Sequence, residues 1–162
     1  MDIRKTEEAD IPQVLAIYEE ARKFMAEAGN PSQWTGGYPG EEDLRRDMEK
    51  GASYVCLENG VIAATFYFSV EEEPTYRVIQ DGAWLNDRPY GVVHRVASAS
   101  RGKGLASHCL NWCFDQCGNL RIDTHRNNIP MQNMLEKNGF ARCGIIFVED
   151  GTERIAFQKC RE

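Results

Sequence analysis

The sequence predicts an α/β (α+β) chain built on a mixed central β-sheet with helices on both faces. Three observations lead there. Strand-like and helix-period runs follow one another in the order β-α-α-β-β-β-α-β-α-β-β. Asn59-Gly60 separates two apolar runs, a tight-hairpin signal, because both turn positions need positive φ. A glycine-rich turn, Arg101-Gly102-Lys103-Gly104, stands between a strand ending near Ser98 and an apolar helix.

The elements can be justified in order. Residues 3–5 read as a short first strand. Asp10 then looks like an N-cap, with Gln13 three residues later and Pro12 inside the first turn. Val14, Ile17, Tyr18, Ala21 and Met25 follow at helical spacing, and Gly29 marks the end. A second helix fits residues 41–50, closed by Gly51. Residues 53–58 and 61–70 form the hairpin. Residues 71–88 are polar and mixed, with room for a short helix, and residues 91–98 form the next strand. The helix of residues 104–117 carries Leu105, Cys109, Trp112 and Cys113. Residues 120–124 form a strand and residues 128–138 a helix, with Pro130 at its start and Gly139 at its end. Residues 142–148 and 154–159 make a second hairpin around Asp150-Gly151.

The bulk numbers bound the class. A chain of 162 residues fits one domain, 1–162, and 42% hydrophobic with 27% charged residues suits a soluble globular protein. The longest apolar run, near residues 61–68, is far too short to cross a bilayer. Asp2, Arg4, Lys5, Glu7 and Glu8 do not read as a signal peptide, so the expected compartment is the cytoplasm, without membrane association. Six cysteines are then expected as free thiols, and no CxxC pair supports a zinc site, so no metal is implied. Cys109, Cys113 and Cys117 share one helical face and read as small buried apolar residues. A net charge of −6 without a basic run argues against a nucleic-acid binder and suits a cationic amine substrate.

The sharpest chemical feature is Arg101-Gly102-Lys103-Gly104-Leu105-Ala106. Glycines let the backbone approach a ligand, and the N–H groups of a first helical turn favour an anion. Arg101 and Lys103 add charge, so the turn reads as a phosphate cradle. It is not a Walker A loop, because Gly104 rather than Ser or Thr follows Lys103. It is not a dinucleotide fingerprint either, because Ser107 stands where the third glycine would be. The second feature runs from Asn128 to Phe140. A purely structural account covers it: Asn128 caps, Met131, Met134 and Leu135 face the core, and Gly139 stops the helix.

Together the two features resemble the GNAT superfamily of N-acetyltransferases. Residues 101–106 match that family's Q/R-x-x-G-x-G/A pattern, and Asn128 with Gly139-Phe140 matches its N-x(10)-G-F signature. The resemblance implies two parallel strands, the fourth and fifth, that splay apart around acetyl-CoA as co-substrate. Backbone groups of Val96 and Ser98 would pair with the pantetheine arm. The N–H groups of Arg101, Gly102, Lys103, Gly104, Leu105 and Ala106, with Ser107, would hold the pyrophosphate, and Asn128 would face the pantetheine. The reaction implied is direct attack of a small-molecule or peptide amine on the thioester. A backbone N–H near Val96 would stabilise the oxyanion.

One departure stands out. Many members carry a tyrosine general acid seven residues after the asparagine, where this chain has Leu135. For the base, strand parity places Tyr90, His94 and Val96 on one face, with His94 nearest the splay and of suitable intrinsic pKa. Asp123 and His125 share a face of the neighbouring strand; the competing reading is a buried Asp123–Arg95 or Asp123–Arg121 pair. Trp34 and Tyr38 either line the acceptor pocket or anchor a loop, and Glu71-Glu72-Glu73 reads as a solvated loop. Ile145, Phe147, Ile155 and Phe157 would serve a homodimer or the core. The rival to an enzyme is a non-catalytic acyl-CoA-binding sensor or scaffold.

Overall fold

The computed structural model describes residues 1–100 and 104–161. Seven strands hydrogen-bond in the order β1-β2-β3-β4-β5-β7-β6, and four α-helices accompany them. In chain order these are β1 (Asp2–Lys5), α1 (Ile11–Glu27), α2 (Glu41–Glu49), β2 (Ser53–Glu58), β3 (Val61–Val70), β4 (Gly91–Ser98), α3 (Leu105–Cys117), β5 (Asn119–Thr124), α4 (Ile129–Lys137), β6 (Ala141–Phe147) and β7 (Glu153–Cys160). Every expected element is present, within about two residues of its expected ends. The polar stretch before β4 holds one 3-10 turn, Pro74–Tyr76. No described helix is long and apolar enough to cross a membrane.

The chain forms two compact units that interleave in sequence. The first comprises Met1–Phe68 and His94–Cys109. Here β1 pairs antiparallel with β2, and β2 with β3. Asn59 and Gly60 turn the hairpin at φ 53° and 78°, as a two-residue primed turn demands. Val14, Ile17 and Tyr18 of α1 and Leu44 of α2 pack on Val55 and Ala97. Asp10 stands at the N-cap position of α1, as expected, but its side chain does not cap the helix. Its carboxylate instead reaches back to the Glu7 N–H at 2.7 Å and is gripped by Arg4 at 2.7 and 3.1 Å. It closes the 3-10 turn Glu8–Asp10, which leads into α1, and accepts no N–H of the helix.

The second unit comprises Ser69–Val93 and everything from Leu110. β5 runs antiparallel to β7 along its whole length, and β7 continues to β6. β4 lies parallel to β5, paired at Gly91↔Leu120 and Val92↔Arg121. Gln80 bridges to Ile145 through two 2.8 Å backbone bonds, which pins the segment before β4 onto β6. The close approach requires glycine: a Cβ on Gly82 would stand 1.9 Å from the Cys143 carbonyl oxygen. Phe157 belongs to the core, whereas Phe147 is exposed. Cys109 and Cys113 are buried and Cys117 half-buried; all six cysteines are free thiols.

Candidate active site

In the first unit the site is organised by an irregularity in β4. Arg95 has φ 52°, the left-handed region, inside a strand. That residue breaks the two-residue alternation between His94 and Val96, and Tyr90 precedes the strand. The Arg95 guanidinium binds Asp47 of α2 with two 2.8 Å bonds and donates to the Tyr38 hydroxyl at 2.9 Å. It also lies over the Tyr67 ring, 5.0 Å from the centroid, and the His94 ring sits 5.5 Å from the same ring. Burial pushes the Asp47 carboxyl above its ordinary value, against the pull of Arg95. Burial draws Arg95 down, but the Tyr38 hydroxyl and Asp47 outweigh it and hold the guanidinium charged.

Trp34 stands edge-on to Tyr18 at 6.1 Å and to Tyr38 at 6.4 Å. Trp34 therefore anchors its loop to the core, while Tyr38 remains exposed at the tip. Val96 is buried, and the Ser98 hydroxyl donates to the Ser100 carbonyl at 3.1 Å. Gly104 has φ 69° and leads directly into α3. Added bulk there would meet nothing within 4 Å, so conformation rather than space favours glycine. Leu105 is buried, while Ala106 and Ser107 are half-buried at the start of α3. The first-turn N–H groups of such a helix have no acceptor within it. Arg101, Gly102 and Lys103 lie outside the described residues.

In the second unit Asp123 of β5 is half-buried and accepts a 2.6 Å hydrogen bond from the Tyr76 hydroxyl. Burial, and then the carboxylate, push the Tyr76 phenol well above its ordinary value, so Tyr76 stays a donor. Neither expected partner of Asp123 is found. Arg95 serves Asp47, and Arg121 is clasped between the Trp84 and Tyr90 rings at 4.2 and 4.0 Å while donating to the Asn86 carbonyl. The Tyr90 hydroxyl accepts from the Glu73 N–H at 2.9 Å.

His125 is buried, and its Nδ1 accepts the Asn127 N–H at 3.0 Å. Burial, helped by Arg154 and Arg126, lowers its pKa. A neutral ring whose Nδ1 is an acceptor carries its proton on Nε2, leaving neither nitrogen ready to take another. Asn128 caps α4, its side chain accepting the Met131 N–H at 3.2 Å. Gln132 fastens the turn from inside, donating to the carbonyls of His125 and Arg126 and accepting from Arg142. Leu135 is 0% exposed: the tyrosine's place is filled by core. Among the described residues no group of three or more His, Cys, Asp or Glu side chains is arranged to hold a metal ion.

Sequence reasoning missed Asp47, Tyr76 and Arg154. For Asp47 a signal existed, since it lies three residues after Leu44, on the buried side of α2. Nothing in the local sequence marks Tyr76, which sits in an irregular segment.

The order of strands and helices, with the parallel β4–β5 pair, is the architecture of an acetyltransferase fold. The profile of the acetyltransferase (GNAT) family matches residues 14–140. A GNAT-family acetyltransferase from Streptococcus agalactiae 2603 is 33% identical with a TM-score of 0.92, covering 99% of this chain and 95% of its own. A Staphylococcus aureus Mu50 protein assigned as an acetyltransferase is 25% identical with a TM-score of 0.71, covering 99% of each chain. The ribosomal-protein-alanine N-acetyltransferase of Brucella melitensis shares the fold at 19% identity and a TM-score of 0.65, covering 99% of this chain and 100% of its own. No curated protein matches the sequence. The chain belongs to the acetyltransferase (GNAT) family. It is an acyltransferase, of a family that moves acyl groups from acyl-CoA to amine acceptors with acetyl-CoA as co-substrate.

Proposed function

We propose that this enzyme transfers an acetyl group from acetyl-CoA to a primary amine of a small molecule or peptide, with Asp123 as the base. The observation that supports it is the half-buried Asp123 carboxylate, with one oxygen oriented by Tyr76. An aliphatic ammonium has a pKa near 10, so only about one molecule in a thousand is neutral at pH 7. A fixed carboxylate first holds the ammonium and then receives its proton. The amine nitrogen attacks the thioester carbonyl, the C–N bond forms and the C–S bond breaks. The backbone N–H near Val96 steadies the oxyanion, and CoA leaves as thiolate. With Leu135 apolar and buried, water carries the second proton, shed by the attacking nitrogen as the amide forms, to the departing thiolate.

For the co-substrate we assign the backbone of Val96 and Ser98 to pantetheine. The pyrophosphate falls to Gly104, Leu105, Ala106 and Ser107, continuing from Arg101, Gly102 and Lys103. Asn128 acts by shaping the turn that it caps, and His125 by holding that turn. Tyr38 lines the acceptor side, steadied by Arg95. Neither compact unit is contiguous in sequence, which supports residues 1–162 working as one domain, and the reading places it in the cytoplasm.

The test combines calorimetric titration of acetyl-CoA with thiol release over a panel of amines. Asp123→Asn should lower kcat about 100-fold or more while leaving acetyl-CoA affinity intact. His94→Ala, which removes the other base that the sequence offers, should change kcat by less than about threefold. A reversed ranking would move the base to His94, and acetyl-CoA binding without thiol release on any amine would refute the transfer itself.

A further inference from the structure

The face of the sheet that carries Asp123 also carries an unmatched cation. In the β5–β7 register Arg121 stands opposite Gln158 and Asp123 opposite Ala156. Opposed residues of antiparallel strands share a face, and residues two apart on one strand share it too. Arg154, two residues before Ala156 on β7, therefore projects to the side of Asp123, one diagonal step away. Such diagonal neighbours are about 7–8 Å apart.

Arg154 is 8% exposed. Among the described residues its guanidinium donates only to the neighbouring Glu153 carbonyl, at 3.0 Å, and has no carboxylate within 4.0 Å. The half-buried Arg95 guanidinium behaves differently, being matched by Asp47. Arg121, the other buried arginine, is covered by two aromatic faces. A guanidinium cannot shed its charge, and buried charges are almost always paired, so Arg154 lacks the anion that its environment calls for. The groups around it do not supply one. His125 is held neutral, Arg126 is a further cation, and Asp150 feels the Arg154 charge only at longer range, its carboxylate being hydrogen-bonded to Thr152 at the exposed hairpin tip.

We propose that Arg154 binds the carboxylate of the acceptor, so that the acceptor is an α-amino acid or a close analogue, with its ammonium on Asp123 and its carboxylate on Arg154. This rests on the assignment of Asp123 to the amine. In an α-amino acid the nitrogen and the carboxylate carbon are about 2.5 Å apart. Adding a charged contact of about 2.8 Å at each end gives a span of about 8 Å between the two charged groups, within reach of two side chains that rise from diagonal positions on one face. The acceptor's zwitterion meets a carboxylate and a guanidinium in the same order, which a simple alkylamine cannot do. The acidic net charge therefore misleads about the acceptor, because the local cation and not the surface decides.

The experiment compares amino acids with the amines left after decarboxylation: leucine against isoamylamine, phenylalanine against phenethylamine, each also against its amino-acid amide. The wild-type enzyme is expected to favour the free amino acid by about 100-fold in kcat/KM, as a site built for a polar group rejects analogues lacking it. Arg154→Met should raise KM for the amino acid, leave kcat within a few-fold, and abolish the preference; Arg154→Lys should restore part of it. The wild-type panel decides the matter even if the variants fold poorly. Equal turnover of amino acid and decarboxylated amine overturns the carboxylate site and leaves the transferase reading standing. Thiol release on no acceptor overturns both.

Discussion

Replacing Asp47 by Leu should strand the Arg95 guanidinium. Asp47 is 5% exposed and supplies two of the three hydrogen bonds made by that guanidinium, both 2.8 Å. Breaking a buried pair from one side costs roughly 3–5 kcal/mol, because the remaining charge stays buried without its partner. The Arg95 side chain keeps 16% exposure and the Tyr38 hydroxyl, so the low end applies, about 3 kcal/mol. For a chain of this size that corresponds to a fall in Tm of roughly 6–12 °C. The pair itself contributes far less than its removal costs. Burial pushes Asp47 above its ordinary pKa, so the attraction of Arg95 does not fully offset desolvation. The double variant Asp47→Leu/Arg95→Met should therefore regain most of the lost stability. Urea unfolding of the two singles and the double, followed by circular dichroism, measures the coupling. A loss below about 1 kcal/mol in Asp47→Leu, or a double variant no better than the single, would refute this reasoning.

Two further outcomes follow from the second unit. Gly82→Ala should release the segment pinned to β6, since its Cβ would lie 1.9 Å from the Cys143 carbonyl oxygen; amide exchange at Gln80 and Ile145 would accelerate sharply, and unchanged protection would contradict it. His125 should make stability pH-dependent. Its folded pKa lies below the ordinary 6.5, so between the two values the unfolded chain binds the extra proton. That contribution is complete above about pH 6.5 and is lost as pH falls through the folded value. His125→Gln, measured by thermal melts from pH 7.5 to 5, should flatten this slope; parallel curves would exclude His125 as its source.

The local signals were strong where a turn or cap demands a particular residue. Asn59-Gly60, Gly104, Asn128 and Gly139 all occupy the positions expected of them, because positive φ and end-capping are settled within a few residues. Asp10 shows the limit: the right residue for a cap stood at the right place, but Arg4 and the Glu7 N–H claimed its carboxylate. Arg95 shows another. Strand parity assumes regular backbone, and one left-handed residue in β4 cancels it.

The sequence by itself determined the order of elements, the hairpins, the glycine turn before α3 and the resemblance those features carry, since each depends on neighbours a few residues apart. Only the tertiary structure decided which charges meet. Asp47 finds Arg95 across 48 positions and Tyr76 finds Asp123 across 47, while Arg154 has no ion-pair partner among the described residues. Such partnerships depend on burial and strand register. Those properties belong to the assembled sheet, and no short segment encodes them.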